Sequence, residues 1–296
     1  IKKNKKEMTL RKIFIILIIS LVMVAFKTDK PAYLIFNVEG KNIKYAKMLE
    51  NIASADVVFF GELHNNPICH WLQLELTKDL FNHKDGAIIL GAEMFEADNQ
   101  LILNEYIEGK VSEKNYKKEA KLWPNYKTDY APLVEFAKDN KLEFIATNIP
   151  RRYASIVYKK GFEGLDGLSA EAKSYIAPLP INYDAELKGY KAMLEEMKMM
   201  GHENENLPKA QAIKDATMAY SISGFVENGK LFIHYNGTYH SNDYEGIIWY
   251  LNNYNPGLKI ATIASVEQED IEKLNEDHAN KADYIIVIPN SMTKTH

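Results

Sequence analysis

Two short turns carry the residues whose types and spacing could do chemistry. Gly61-Glu62-Leu63-His64-Asn65 and Gly237-Thr238-Tyr239-His240-Ser241 each follow an apolar run, place histidine three residues after glycine, and end on a residue able to cap a helix. A third apolar run ends in Gly91-Ala92-Glu93, and a fourth is followed by Asn148-Ile149-Pro150-Arg151-Arg152. If these runs are parallel strands of one sheet, Glu62, His64, Glu93 and His240 all arrive at its carboxyl edge, where open α/β sheets hold their ligands. Pro150 marks a helix start, so Arg151 and Arg152 would offer an anion two guanidinium groups beside a helix N-terminus. Asp215 sits within a helical stretch close to Met218 and Ala219. It reads equally as a salt-bridge partner and as a support for the site.

Two imidazoles with one or two carboxylates match the donors of a catalytic divalent metal that keeps an open position for water, with His64, Glu93 and His240 as ligands. The same residues could instead run metal-free acid–base chemistry on an ester or amide. Spacing does not choose between them. No H-E-x-x-H is present, because His202-Glu203 leads to Asn206 where a second histidine would be needed. Each residue also has a plain structural reading: Glu62 as a helix cap, the histidines as hydrogen-bonded turn residues, Glu93 as the partner of an arginine.

The elements that must position these groups are legible as punctuation. Short apolar runs recur at Asp56 to Phe60, Ala87 to Gly91, Leu142 to Thr147, Leu231 to Tyr235, Lys259 to Ala264 and Tyr284 to Ile288. They are rich in Ile, Val and Phe without strict alternation, which suits strands buried on both faces of a parallel sheet. Asn65 to Phe81, Ala131 to Asn140 and Asp243 to Tyr254 read as helices between them, so the chain alternates strand and helix in an α/β architecture. From Thr147 to Lys230 roughly eighty residues pass without a strand, far more than a βα connection needs. A helical insertion at about 150–228 is expected there, with Ala185 to Met200 and Lys209 to Val226 as helices around a break at Gly201-His202-Glu203-Asn204. Leu101 to Tyr130 adds a smaller helical excursion.

With 296 residues, 46% hydrophobic and 26% charged, the chain can bury a substantial core. Its net charge of −4 gives no electrostatic footprint for nucleic acid. Lys2, Lys3, Lys5, Lys6, Arg11 and Lys12 precede the apolar stretch Ile13 to Phe26, which falls short of the roughly 20 residues of a comfortable spanning helix. Residues 8–27 therefore read as a signal peptide or N-terminal anchor, and the protein as exported, either periplasmic or membrane-associated on the outer side of the inner membrane. The lone cysteine, Cys69, has no partner for an internal disulfide and reads as a small buried hydrophobe.

Taken in order, GELHNNPICH, GAEMFEADNQ, WPNYKTDYAP, NIPRR, MKMMGHEN, KAQAIKDATMAYSI and GTYHSNDYEG resemble the ChaN-like heme-binding uptake family, related to the Tiki and erythromycin-esterase-like proteins. The resemblance covers most of the chain beyond Ile43. It implies a three-layer α/β/α core around a mainly parallel sheet, spanning 43–296 with the helical insertion. It also implies heme as cofactor and partner, a homodimer with heme between protomers, and an outer-membrane heme or iron receptor. In the Tiki and esterase relatives the matching positions form a hydrolytic or metal-dependent centre, which here would be Glu62, His64, Glu93 and His240, supported by Arg151 and Asp215. Family members are often lipoproteins, whereas this leader has no cysteine to accept lipid.

Two functions follow. In the first, heme docks on the helical insertion, where methionines 193, 197, 199 and 200 shape an adaptable apolar surface and His202 contacts iron, with Tyr175, Tyr183 and Tyr190 as further candidates. In the second, the sheet-edge residues catalyse hydrolysis: His64 or a metal-bound water supplies the base, His240 assists the leaving group and Arg151 holds an anionic substrate.

Overall fold

All six apolar runs form strands, and the reason is visible in their burial: Val57 to Glu62 is buried at every position, which only a strand covered on both faces allows. The computed structural model describes residues 30–201, 204–226 and 229–296. The leader at 8–27 and His202 lie outside the described residues. The strands are β1 (Leu34–Asn37), β2 (Asn42–Ile43), β3 (Val57–Glu62), β4 (Ile88–Glu96), β5 (Phe144–Asn148), β6 (Leu231–Gly237), β7 (Ile260–Gln268) and β8 (Tyr284–Pro289). They form one sheet in the order β2-β1-β8-β7-β3-β6-β4-β5.

The six strands from β8 to β5 run parallel. At one edge the short β1 pairs antiparallel with both β8 and β2. This hairpin has no counterpart in the sequence reading. β1 is four residues long with only Ile35 and Phe36 buried, too brief a pattern to separate from loop.

The helices are α1 (Tyr45–Ile52), α2 (Pro67–His83), α3 (Gln100–Ile107), α4 (Glu113–Glu119), α5 (Ala131–Asn140), α6 (Arg151–Lys160), α7 (Ala170–Lys173), α8 (Lys188–Met199), α9 (Asn206–Ser223) and α10 (Ile247–Tyr254), with a π-helical turn at Tyr126–Tyr130. Strand alternation divides the core. Val58 and Phe60 of β3 pack with Leu72, Leu76 and Leu80 of α2 and with Leu133, Val134 and Ala137 of α5. Val57 and Phe59 point the other way, to Ala212, Ala216 and Ala219 of α9 and Ile247 and Leu251 of α10. The result is three layers.

The helical stretch between β5 and β6 is not uniformly an excursion. α9 has buried residues on every side and supplies a covering layer of the sheet, whereas α8 buries only Tyr190. Cys69 is fully buried on the first turn of α2, and burial pushes its thiol up to about 12, as fits an inert packing group.

Topology decides where a site can form. β3 and β6 are neighbours with Glu62 opposite Gly237. The chain leaves β3 through α2 toward β4 on one side, and leaves β6 through α10 toward β7 on the other. Such a divergence opens a crevice at the carboxyl ends of the strands.

Candidate functional site

Glu62 ends β3 inside the protein and is held by three donors. Its Oε1 accepts from His64 Nδ1 at 2.8 Å and from the Tyr130 hydroxyl at 2.8 Å, and its Oε2 accepts from Gln73 Nε2 at 2.5 Å. A buried carboxylate is tolerable only when its lone pairs are filled in this way. His70 and Asp129 extend the network behind it, with His70 Nε2 3.3 Å from Asp129. Donating Nδ1 to Glu62 fixes the His64 tautomer and leaves Nε2 as the nitrogen available for chemistry. Burial opposes charge on His64, but the bond to Glu62 and the charge of Glu93 outweigh it and raise its pKa. Its side chain remains 36% exposed.

His240 follows the matching turn and has a different environment. It is buried between two carboxylates, with Nε2 3.1 Å from Glu93 Oε1 and Nδ1 donating to Asp215 Oδ1. Burial again opposes charge, yet the two acids raise its pKa to about 10. Glu93 is correspondingly held well below the usual carboxylate range: burial alone would raise it, and His240, His64 and the Gly237 N–H, which donates to Oε2 at 2.7 Å, override that. Asp215 Oδ2 accepts from the Tyr190 hydroxyl at 2.8 Å. The trio is thus a buried imidazolium clamped between two carboxyl groups, of which Glu93 is held low, while at Asp215 burial outweighs the His240 and Tyr190 contacts and raises the pKa.

Gly237 is what lets the two turns approach. A Cβ at this position would lie 2.6 Å from His64 Nε2 and 3.5 Å from Glu93 Oε2, so only bare backbone fits between the two groups. Trp123 closes the outer side, its ring 5.0 Å from that of His64. Beside Glu93 a cleft of about 420 Å³ opens between α6 and α9, lined among others by Trp123, Asn148, Arg151, Tyr158 and Lys214.

Glu62, His64, Glu93, His240 and Asp215 therefore meet at one edge, and Arg151 stands in the adjoining cleft. Arg152 turns away to an ion pair with Asp98. The expected helix caps are corrected. Asn66 caps α2, not Asn65, accepting from Ile68 N at 3.0 Å with Pro67 fixing the first turn. Ser241 caps nothing, because Asp243, Tyr244 and Gly246 take positive φ and delay α10 to Ile247.

A divalent metal fits this site poorly. Both His240 nitrogens are committed to carboxylates, and among the described residues no group of three or more His, Cys, Asp or Glu is arranged to hold a metal ion. The polar residues that complete the site, Gln73, Trp123, Tyr130, Tyr190, Gln211 and Lys214, carry no motif of their own. The WPNYKTDYAP stretch holds Trp123 and Tyr130, the KAQAIKDATMAYSI stretch holds Gln211 and Lys214, and Tyr190 was a candidate heme contact; for Gln73 the sequence carried no signal.

A family model described as haem-binding uptake, Tiki superfamily, ChaN matches residues 48–251. The chain belongs to this family. Its fold is similar to that of ChaN of Campylobacter jejuni, solved as a cofacial heme complex, with a TM-score of 0.64 and 19% identity over 87% of this chain and 97% of that one. A Bacillus cereus protein superposes with a TM-score of 0.51 and 14% identity over 82% and 90% of the two chains. Among curated proteins, the chloroplastic protein RETICULATA-RELATED 5 of Arabidopsis thaliana is 25% identical over 203 residues, 64% of this chain. The matched region is 27% of that protein's length. The ChaN-family match spans every strand from β3 to β6 and both histidine turns.

Proposed function

We propose that this ChaN-family chain binds heme and serves heme or iron uptake after export directed by residues 8–27. The observation that carries the reading is the family match across residues 48–251. The physical fit lies at the C-terminal end of α8. Met193 and Met197 are half-buried there, while Met199 is 81% and Met200 64% exposed, an apolar surface that a packed core would not leave open. Asn204, past the break, lies against α6: its Nδ2 donates to the Tyr158 carbonyl at 3.3 Å, and the Tyr158 side chain is 39% exposed. Bound heme supplies a flat apolar face and an iron that takes phenolate or imidazole ligands. Tyr158 is the group of this region suited to contact it, His202 is the candidate the sequence offers, and the methionines are suited to the face. A second copy of the chain covering the other face, and an outer-membrane receptor as donor or acceptor of heme, complete the uptake reading.

Hemin titration of the purified chain tests it. A saturable Soret shift at micromolar protein, weakened about tenfold or more in Tyr158→Phe with His202→Ala, is the expected result, on the scale of losing one ligand contact. The absence of any shift overturns the reading. Size-exclusion chromatography with and without hemin reads the second copy.

A second reading is favoured by one specific arrangement, the Glu62–His64 pair whose free Nε2 sits against Gly237, with Glu93 on the far side of that glycine. That is the geometry of an imidazole general base oriented by a carboxylate, suited to an ester or amide. His240 then acts through Glu93 as a positioning residue, because both of its N–H groups are already donated. Loss of ester turnover in His64→Ala with binding retained supports this second activity, and unchanged turnover removes it.

A further inference from the structure

The cleft beside Glu93 is built from two matching helix stripes. Arg151, Ala154, Ser155 and Tyr158 line it from α6, and Leu207, Ala210, Gln211 and Lys214 from α9, each set spaced as one helical face. Each stripe carries one cation. The cleft's acids are already engaged: Glu93 with His240, and Glu96 with Lys121 at 3.4 Å. Its cations are not, for among the described residues neither Arg151 nor Lys214 has a carboxylate within 4.0 Å, although neighbouring Arg152 is paired with Asp98. Among the described residues Lys214 Nζ donates to the neutral Gln211 Oε1, at 3.3 Å. Asn148 lines the same cleft, nine-tenths buried. Its Nδ2 donates to the Glu93 carbonyl at 2.9 Å, and among the described residues its Oδ1 has no partner. A buried acceptor left unfilled is costly, so a donor is the group this wall lacks.

We propose that this cleft binds a small carboxylate compound, its anion held between Arg151 and Lys214 and an adjacent N–H or O–H directed at Asn148. The class is that of N-acyl amino acids and short carboxylate-bearing amides or esters. A guanidinium from one helix and an ammonium from the other give the anion charge-assisted hydrogen bonds from two directions. The cleft volume of about 420 Å³ admits a compound of that size, and its donor end would lie toward Glu93 and the His64 pair. The proposal rests on the acid–base reading only for what would follow binding, because recognition itself uses other residues.

Trp123 lines the cleft and reports occupancy through its fluorescence. Titrating the full chain with N-acetylglycine, acetate and N-acetylglycinamide separates the two elements of recognition. N-acetylglycine is expected to bind best, acetate more weakly for want of the donor, and the neutral amide least. Arg151→Ala and Lys214→Ala should each weaken N-acetylglycine about tenfold, on the scale of one charged hydrogen bond, and Arg151→Lys should recover part of the loss. Repeating the titration in His64→Ala distinguishes the readings: retained binding without turnover upholds the carboxylate site whatever becomes of hydrolysis. Competition by hemin would identify a heme propionate as the carboxylate source, and its absence a free compound; both support the site. Equal binding of all three probes, no binding at millimolar concentration, or binding unchanged in both cation variants overturns it.

Discussion

The two histidine turns begin as the same local sequence and finish as opposite electrostatic devices. His64 has one carboxylate partner, a free Nε2 and a side chain 36% exposed. His240 has two carboxylates, no free nitrogen and a side chain only 5% exposed. The turn puts a histidine at the strand end in both cases, and what differs is the element that packs over it. α9 brings Asp215 to His240, while the π-helical turn and α2 bring Tyr130 and Gln73 to the acid behind His64 and leave its ring partly exposed beside Trp123. One histidine is thereby a fixed charge and the other a titrating group. A spacing motif defines where a side chain starts, and tertiary packing defines its pKa.

Removing His240 should break the comparison most strongly. His240→Ala leaves the buried Glu93 and Asp215 without the imidazolium they share and is expected to cost about 3–5 kcal/mol. His64→Ala, at a partly exposed position, should cost about 1 kcal/mol. Urea unfolding of both variants checks the contrast, and equal costs would sink it.

The pH dependence should differ in the same sense. His240 has a folded pKa near 10, above its ordinary value of 6.5. Its stabilisation is therefore fully present below about pH 6.5 and is lost as pH rises through about 10. Glu93, depressed in the folded state, works in the opposite direction: its contribution is present above its ordinary 4.5 and is lost as pH falls toward its depressed value. Denaturation midpoints should decline from pH 8 to 10 in the native chain and much less in His240→Ala. Ring resonances in NMR should show His64 titrating at lower pH than His240.

Gly237→Ala sharpens the link between the two turns. The new Cβ would displace the His64 ring, and because that side chain can swing toward solvent the stability cost should stay near the low end of about 1–3 kcal/mol for overpacking. The diagnostic change is in titration: His64 moved away from Glu62 and Glu93 should return toward 6.5. Tyr130→Phe and Tyr190→Phe each remove one hydroxyl donor from a buried acid and should each cost near the low end of about 1.5–3 kcal/mol. A cost near zero for either would mean that its carboxylate finds another donor.

The strands were legible because parallel strands covered on both faces leave continuous apolar runs, as in Val57 to Phe60 and Tyr284 to Ile288. The β1–β2 hairpin was not, since four residues with two buried positions carry no period. Glu62, His64 and His240 were legible as strand-end residues, whereas β4 continues past Glu93 to Glu96 and Glu93 lies in its irregular stretch after Ala92, where pairing with β6 has stopped. Gln73 and Lys214 were not, because a polar residue on a helix looks the same whether it faces water, a buried acid or a cleft. Arg151 and Arg152 illustrate the limit most plainly. They are adjacent and alike in sequence, yet one pairs with Asp98 and the other stands in the cleft with no carboxylate partner among the described residues.

The sequence by itself determined the strand and helix alternation and the placement of acid and histidine where strands stop, because hydrophobic period and turn chemistry act over a few residues. Only the tertiary structure decided which carboxylate meets which imidazole, that Gly237 has to be bare for them to meet, and that the cations of α6 and α9 share one cleft. Those outcomes depend on strand order and helix packing across residues far apart in the chain, and no local pattern encodes them.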